Sequence, residues 1–333
     1  MTAISQDRPS RAVRRSSRRG RLTARAMIAL AGVLRRLPPR PLHHVADAIG
    51  GVLYRTQPER RKLVSDNLLR VCRYLVEHDM AGQSAAGAAN DGQQLKRLVR
   101  GAFGHYVRGY LESATLPAYA SEKWLARVVP DDPDVAAQAF PDGEGGPMII
   151  VGMHFGALEV PALWTTGVRG VRITAPMETV ADPDLQSYFE RTRAETGIKV
   201  VPLAGAATAL RTALGAGEAV ALVADRPVGG SGALVELFGA PARLPTGPAA
   251  LAIESGAPAW LVATRRVGYS EYRVRLERIE PQPGTRREQL SSFMAAEAAA
   301  FERAVADAPE QWWTLFFPIW DSPRQDARQE SAA

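Results

Sequence analysis

The chain contains 333 residues, 46% of them apolar and 23% charged, and its formal net charge is +6. These values are ordinary for a folded globular protein, and the length suits one large α/β domain or two smaller domains. The single cysteine, Cys72, excludes an internal disulfide bond and a cysteine-based metal cluster, and it indicates a reducing compartment.

The positive charge is concentrated at the start of the chain. The first forty residues contain eleven arginines and one acidic residue, Asp7. We expect residues 1–21 to form a disordered basic tail, because they combine arginine with serine, proline and glycine. No nucleic-acid recognition motif accompanies the arginines, so a nucleic-acid partner is not expected.

Residues 22–40 combine apolar side chains with further arginines. The apolar stretch is too short to span a bilayer, which needs about twenty consecutive apolar residues. It predicts a helix that lies on an anionic membrane surface, where the arginines reach the lipid head groups. An ordinary first helix of a globular domain is the alternative.

The next segments are predominantly helical. The apolar residues of 42–77 and of 95–113 recur at helical spacing and predict helices. Between them, residues 80–93 are mostly small and polar, and they predict a low-complexity loop. The adjacent histidines His43 and His44 lie near proline and arginine, and they are predicted to be at the surface.

From residue 147 onward, short apolar runs alternate with helical patterns. This alternation predicts an α/β fold with a mostly parallel central sheet flanked by helices, preceded by a helical N-terminal layer. The expected strands are 148–151, 171–175, 199–202, 219–224, 259–264 and 272–276, and the expected helices are 157–167, 184–196, 206–215, 246–255 and 287–307. We predict a single domain over 22–320, followed by a disordered tail at 321–333.

His154 is the first candidate catalytic residue. It follows an apolar run and Gly152, so a buried strand would carry the imidazole to the carboxyl edge of the sheet, where open α/β folds bind ligands. If a helix begins directly after it, Glu159 lies about one and a half turns further on, and its side chain would hold the ring in one tautomer. The pair also occurs by chance, and a histidine at a strand end is often structural. No second histidine lies nearby at metal-ligand spacing, so no metal is expected.

Asp225 and Arg226 end a second apolar run. If this strand neighbours the one before His154, carboxylate and imidazole meet at the same edge, and the carboxylate stabilises the imidazolium that forms when the ring takes a proton. An Asp–Arg pair that merely ends a strand is the alternative.

A turn-rich stretch follows and leads into a helix whose first turn suits Pro248. The start of this helix, with Arg243 and Gly247 nearby, is a candidate anion-binding site, although a purely structural purpose explains the stretch equally well. The sequence contains no Gly-x-Ser-x-Gly elbow, no P-loop and no dinucleotide fingerprint.

Taken together and in this order, these segments resemble the bacterial lipid A late acyltransferase family, of the lauroyl and myristoyl acyltransferase type. Within that family the chain is most similar to the phosphatidylinositol mannoside acyltransferase branch. The resemblance spans residues 40–320, and further segments carry it: Arg60-Arg61 with Asn67-Leu68, the stretch from Phe103 to Glu112, Phe238-Gly239 with 242–247, and Pro309-Glu310-Gln311-Trp312-Trp313.

The resemblance implies a glycerolipid-acyltransferase-like fold and an O-acyltransferase. A long-chain acyl group would move from acyl-CoA, in preference to acyl carrier protein, to a mannose hydroxyl of a membrane glycolipid such as a phosphatidylinositol mannoside. The enzyme would work as a peripheral protein at the cytoplasmic face of the inner membrane. It would need no metal and no cofactor beyond the acyl-CoA co-substrate.

The resemblance also implies roles for single residues. His154 would be the general base, and Glu159 and Asp225 would support it. Substrate would be bound by Arg226, Arg243 and Gly247. No acyl-enzyme would form, because no elbow serine or cysteine motif is present.

Other readings remain at this point. In the first, the acceptor is a lipid A precursor (Kdo-lipid IVA), and in the second it is a lysophospholipid. In the third, the acceptor is water and the protein is an acyl-thioester hydrolase. A membrane-binding protein without chemistry is a fourth. Family members that act on lipid A usually begin with a longer hydrophobic anchor than residues 22–37 provide, which favours peripheral attachment here.

Overall fold

The computed structural model describes residues 18–37, 39–141, 146–227 and 232–320. Within them the chain forms a mostly parallel sheet flanked by helices, with a helical region at the N-terminus, so the predicted fold class is confirmed. The expected tail at 321–333 and residues 1–17 of the expected basic tail lie outside the described residues.

The N-terminal region consists of helices that pack on one another and on the sheet. These are α1 (Arg18–Leu34), α2 (Pro39–Thr56), α3 (Pro58–Glu77), α4 (Gln83–Asn90), α5 (Gly92–Ala114) and α6 (Glu122–Leu125). None of the helices in the described ranges is both long and apolar enough to cross a bilayer.

Three expectations for this region were wrong in detail. The helix expected at 22–40 begins earlier, at Arg18, and stops at Leu34, and a new helix starts at Pro39, a residue favoured in the first helical turn. The loop expected at 80–93 contains α4, because its alanines favour a helix and Ala85 and Ala88 are buried. His43 is buried, not at the surface, and its ring stacks on Tyr269.

The central sheet contains the strands β1 (Val128–Pro130), β2 (Met148–Gly152), β3 (Ile173–Met177), β4 (Ile198–Pro202), β5 (Ala219–Val223), β8 (Ala259–Gly268) and β9 (Glu271–Ile279). Their order across the sheet is β1-β9-β8-β2-β5-β3-β4. All neighbouring pairs are parallel except β8 and β9. A separate hairpin contains β6 (Ala233–Leu237) and β7 (Ala240–Leu244).

Helices cover both faces of the sheet. They are α7 (Pro133–Ala139), α8 (Val160–Arg169), α9 (Pro183–Ala194), α10 (Ala206–Gly215), α11 (Gly247–Ser255) and α12 (Arg286–Asp307). Successive residues of β2 point to opposite faces: Ile149 and Val151 join one apolar cluster, and Met148 and Ile150 join the other. This double burial explains why the parallel strands appear in the sequence as continuous apolar runs.

Strands β1, β6 and β7 were not expected from the sequence. β1 has only three residues and pairs with β9 alone at the edge of the sheet. The hairpin turns at Phe238 and Gly239, whose φ angles are +49° and +67°, as in the tight turns that match the twist of paired strands. After α12, two short 3-10 turns, Pro309–Gln311 and Trp313–Phe316, bring the chain to the end of β2.

Candidate active site

The ends of two neighbouring strands bring His154 and Asp225 together. β2 and β5 pair in parallel from Met148 opposite Ala219 to Gly152 opposite Val223, so both strands end at the same edge. Two residues beyond each end, the Nδ1 atom of His154 and the Oδ1 atom of Asp225 are 2.7 Å apart. The side chain of Asp225 is fully buried, whereas that of His154 is 25% exposed. A buried carboxylate therefore holds a ring that solvent or substrate can reach.

The second oxygen of Asp225 is held by the segment after α12. Its Oδ2 atom accepts hydrogen bonds from Nε1 of Trp312 at 2.8 Å and from Oγ1 of Thr314 at 2.6 Å. Burial raises the pKa of Asp225, but the charge and hydrogen bond of His154 and these two donors outweigh burial and lower the pKa to about 2. The carboxylate is consequently ionised at neutral pH, and both of its oxygens accept hydrogen bonds.

This arrangement determines the tautomer of the neutral ring. An ionised carboxylate only accepts hydrogen bonds, so the proton of the imidazole must lie on Nδ1, between the ring and Asp225. The Nε2 atom then keeps its lone pair. A ring oriented in this way is equipped to take a proton from a hydroxyl group at Nε2, and the fixed negative charge stabilises the imidazolium that results.

The backbone around His154 is fixed by two distant segments. The carbonyl of His154 accepts from the Trp313 amide at 2.7 Å, and the Gly156 amide donates to the Gln311 carbonyl at 2.9 Å. The Ala157 amide donates to the Thr264 carbonyl at 3.0 Å. Position 156 requires glycine, because its φ is +49° and a Cβ there would lie 1.9 Å from the Thr264 oxygen. The loop is thus clamped between β8 and the C-terminal segment.

A buried ion pair lies beneath this loop. Arg266 on β8 donates from Nε to Oε1 of Glu112 on α5 at 2.9 Å, and its Nη2 also contacts Glu112. The same Nη2 atom donates to the carbonyl of Gly156 at 2.8 Å, and the Tyr272 hydroxyl donates to Glu112 at 3.2 Å. The pair ties α5, the sheet and the His154 loop to one another.

Glu159 does not take the position expected for it. The helix thought to begin directly after His154 starts only at Val160, and the Glu159 carboxylate forms an ion pair with Arg193 on α9. The His154 ring donates its hydrogen bond to Asp225 instead. Glu159 remains close along the chain, at the end of the same loop, and its part in catalysis stays a prediction.

The three residues predicted to bind substrate lie in different surroundings. Arg226 follows Asp225 directly, its guanidinium lies 4.6 Å from the centre of the Phe317 ring, and it is 3.8 Å from Glu178. Arg243 lies on β7 and donates to the Gly232 carbonyl at 3.4 Å, within the hairpin.

Gly247 is the first residue of α11, and a Cβ on it would lie 3.3 Å from Leu222 of β5. The start of that helix therefore packs against the strand that carries Asp225. Of the three predicted binding residues, Arg226 is the one whose chain position adjoins the paired His154 and Asp225.

Several residues of the site were not predicted from the sequence. Trp312 belongs to a segment that carried the family resemblance, but nothing in the sequence connects its indole with Asp225, 87 residues away. Thr314, Arg193 and Arg266 had no signal of their own, because threonine and arginine are common and their partners lie far apart in the chain.

Comparisons with known proteins identify the family of the chain. Residues 87–320 match the family model described as bacterial lipid A biosynthesis acyltransferase. The phosphatidylinositol mannoside acyltransferase of Mycolicibacterium smegmatis is 28% identical over 236 residues, which cover 70% of this chain and 75% of that protein. The protein of the same name from Mycobacterium tuberculosis is 26% identical over 238 residues, 68% of this chain and 70% of its own length. The chain belongs to the bacterial lipid A biosynthesis acyltransferase family and is an acyltransferase.

Proposed function

We propose that the protein transfers a long-chain acyl group from acyl-CoA to a mannose hydroxyl of a phosphatidylinositol mannoside. The observation that carries the chemistry is the hydrogen bond between His154 and a buried, ionised Asp225. The names of the two mycobacterial relatives support the choice of acceptor. The thioester donor follows from the resemblance to the family.

The proposed reaction is a direct transfer. Nε2 of His154 takes the proton from the acceptor hydroxyl as its oxygen attacks the thioester carbonyl carbon, and Asp225 stabilises the imidazolium. The tetrahedral intermediate collapses, the carbon–sulfur bond breaks, and the departing thiolate recovers the proton from His154. The ester of the acceptor and free CoA are the products, and no covalent acyl-enzyme is needed.

The amides closest to His154 do not supply the oxyanion donors in this arrangement. The amides of Phe155, Gly156 and Ala157 all donate within the protein, to the carbonyls of Met153, Gln311 and Thr264. Arg226, beside Asp225 and 29% exposed, is the residue we propose for binding a phosphate of donor or acceptor. The ion pair of Glu159 and Arg193 would keep the far end of the loop in place.

We further propose that the protein attaches to the cytoplasmic face of the membrane through α1 and α2. Each helix exposes large apolar side chains: Met27, Leu30 and Val33 on α1, and Val45, Ile49 and Val52 on α2. The α2 residues recur at spacings of four and three and form one outward stripe. Arg36 follows α1 and is exposed, as expected where a helix lies on anionic lipid, whereas Arg25 donates to Asp184 of α9.

Thiol release from palmitoyl-CoA tests the reaction, measured with and without a phosphatidylinositol mannoside in detergent micelles. We expect the acceptor to stimulate release, mass spectrometry to detect the acylated product, and His154→Ala to abolish both. His78→Ala, at an exposed histidine after α3, is the matched control and should behave as wild type. Acceptor-independent release would favour a hydrolase, and full activity in His154→Ala would refute the mechanism.

Co-sedimentation with vesicles tests the attachment. We expect Ile49→Asp to weaken binding to vesicles containing phosphatidylinositol, and Val76→Asp to leave it unchanged. Val76 is a suitable control because it is an exposed apolar residue on α3. Equal binding by both variants would contradict a role for α2.

A further inference from the structure

An exposed aromatic ring lies close to His154. The ring of Tyr110, on α5, is 54% exposed although its neighbours pack it firmly. It stacks on the indole of Trp313 at 5.7 Å between centroids and 26° between planes, and its hydroxyl is 3.2 Å from that of Tyr106. Tyr106 in turn stacks on Phe316 at 4.1 Å. We call Tyr106, Tyr110, Trp313 and Phe316 the aromatic platform.

The platform is joined to the catalytic loop. The centroids of the Trp313 and His154 rings are 6.5 Å apart, and the Trp313 amide donates to the His154 carbonyl. Gly109 makes this position possible, because a Cβ there would lie 1.7 Å from Cζ2 of Trp313. The indole can therefore lie against the backbone of α5, with Tyr110 above it. The indole of Trp313 therefore neighbours both the exposed tyrosine and the ring of the candidate base.

Positive charge borders the inner part of the platform. Burial and the hydrogen bond to Tyr110 raise the pKa of Tyr106, whereas the guanidinium groups of Arg60 and Arg226 act to lower it. Arg226 lies at this side of the platform, because its guanidinium is 4.6 Å from the centre of the ring of Phe317, the residue after Phe316. A flat apolar ring near a cationic group suits a ligand that contains both a sugar and a phosphate.

Resting on the function proposed above, we propose that a sugar ring of the acceptor glycolipid lies on the exposed face of Tyr110. One face of a pyranose ring presents C–H groups, which the electron-rich face of an aromatic ring attracts while both are removed from water. The contact holds the sugar beside His154, so that a hydroxyl group on it can reach Nε2. It is a positioning contact, and the proton transfer itself belongs to His154.

Steady-state kinetics of Tyr110→Ala test this subsite. The probes are palmitoyl-CoA and a phosphatidylinositol mannoside dispersed in detergent micelles, which removes any contribution from a bilayer. We expect the KM for the glycolipid to rise about 3- to 10-fold, while the KM for palmitoyl-CoA stays within about twofold. Tyr110→Phe keeps the ring and should restore the KM for the glycolipid. Tyr269→Ala removes another exposed tyrosine (47%) and serves as the matched control.

Three results would overturn the proposal. The first is an unchanged KM for the glycolipid in Tyr110→Ala. The second is a rise in KM for palmitoyl-CoA alone, which would make Tyr110 a contact for the nucleotide. The third is weaker binding of Tyr110→Ala to vesicles that lack glycolipid, which would make Tyr110 a lipid anchor.

A binding measurement separates this proposal from the proposed function. Quenching of tryptophan fluorescence by the glycolipid in a His154→Ala background requires no turnover. Loss of quenching after the additional Tyr110→Ala change supports the platform even if no transfer is ever detected, and unaltered quenching refutes it. Absence of transfer by the wild-type protein would count against the proposed function alone.

Discussion

Replacing Asp225 with asparagine removes the negative charge beside His154 and preserves the shape of the side chain. The charge centres of a carboxylate and an imidazolium in such contact are about 4 Å apart, and two unit charges at that distance interact by about 4 kcal/mol at an effective dielectric constant of about 20. Losing this stabilisation in the transition state slows the reaction about 10³-fold.

A second effect acts in the same direction. The asparagine amide would donate to Nδ1 and would stabilise the tautomer that has its proton on Nε2, where the base must be free. We therefore expect kcat for transfer from palmitoyl-CoA to a phosphatidylinositol mannoside to fall at least about 10³-fold. Circular dichroism and thermal unfolding would verify that the variant is folded. A folded Asp225→Asn protein with kcat within about tenfold of wild type would refute the assigned role of the carboxylate.

The same substitution changes the response of stability to acid. The pKa of Asp225 is lowered from 3.8 to about 2 in the folded protein. Because it is lowered, its contribution, about 2 kcal/mol, is fully present above pH 3.8 and is lost as the pH falls through about 2. Urea unfolding of wild type and Asp225→Asn should therefore differ by an amount that shrinks over this interval. A difference that is the same at every pH would contradict the lowered pKa.

Two further substitutions test how the catalytic loop is supported. Gly109→Ala should displace the indole of Trp313, destabilise the protein by about 1–3 kcal/mol and reduce activity. Gly101→Ala, on the same helix, should leave stability and activity unchanged, because a Cβ there meets nothing closer than 3.9 Å. Equal effects of the two substitutions in thermal unfolding and transfer assays would contradict this expectation. Arg266→Met should cost about 3–5 kcal/mol, because it leaves the buried carboxylate of Glu112 without the guanidinium that balances its charge. Adding Glu112→Gln should recover most of the loss. If the double variant is no more stable than the single one in urea unfolding, the pair is not coupled.

Much of the architecture was predictable because extensive burial requires apolar residues that can be recognised in the sequence. The apolar runs that became β2 and β5 are covered on both faces, so they appear as unbroken apolar segments. Strands of three to five residues with alternating burial, such as β1 and β7, leave no such record. The alanine-rich segment of α4 was misjudged because its low complexity hid its helix propensity.

The candidate site was likewise predictable only in part. The sequence by itself determined that His154 and Asp225 each follow a buried strand. The alternation of strands and helices predicted parallel strands, whose ends place both residues at the carboxyl edge of the sheet. It could not determine which carboxylate meets the ring. Glu159 is nearer along the chain, but Asp225 is nearer in space because β5 is the strand that pairs with β2.

Only the tertiary structure decided what holds that pair in place. The donors to Asp225 come from Trp312 and Thr314, and the ion pair under the loop joins Glu112 to Arg266, 154 residues apart. Hydrogen bonds and ion pairs of this kind carry no periodicity, because each depends on how whole helices and strands pack. The sequence supplied the side chains of the site, and the packing of the C-terminal segment across the sheet edge made them one arrangement.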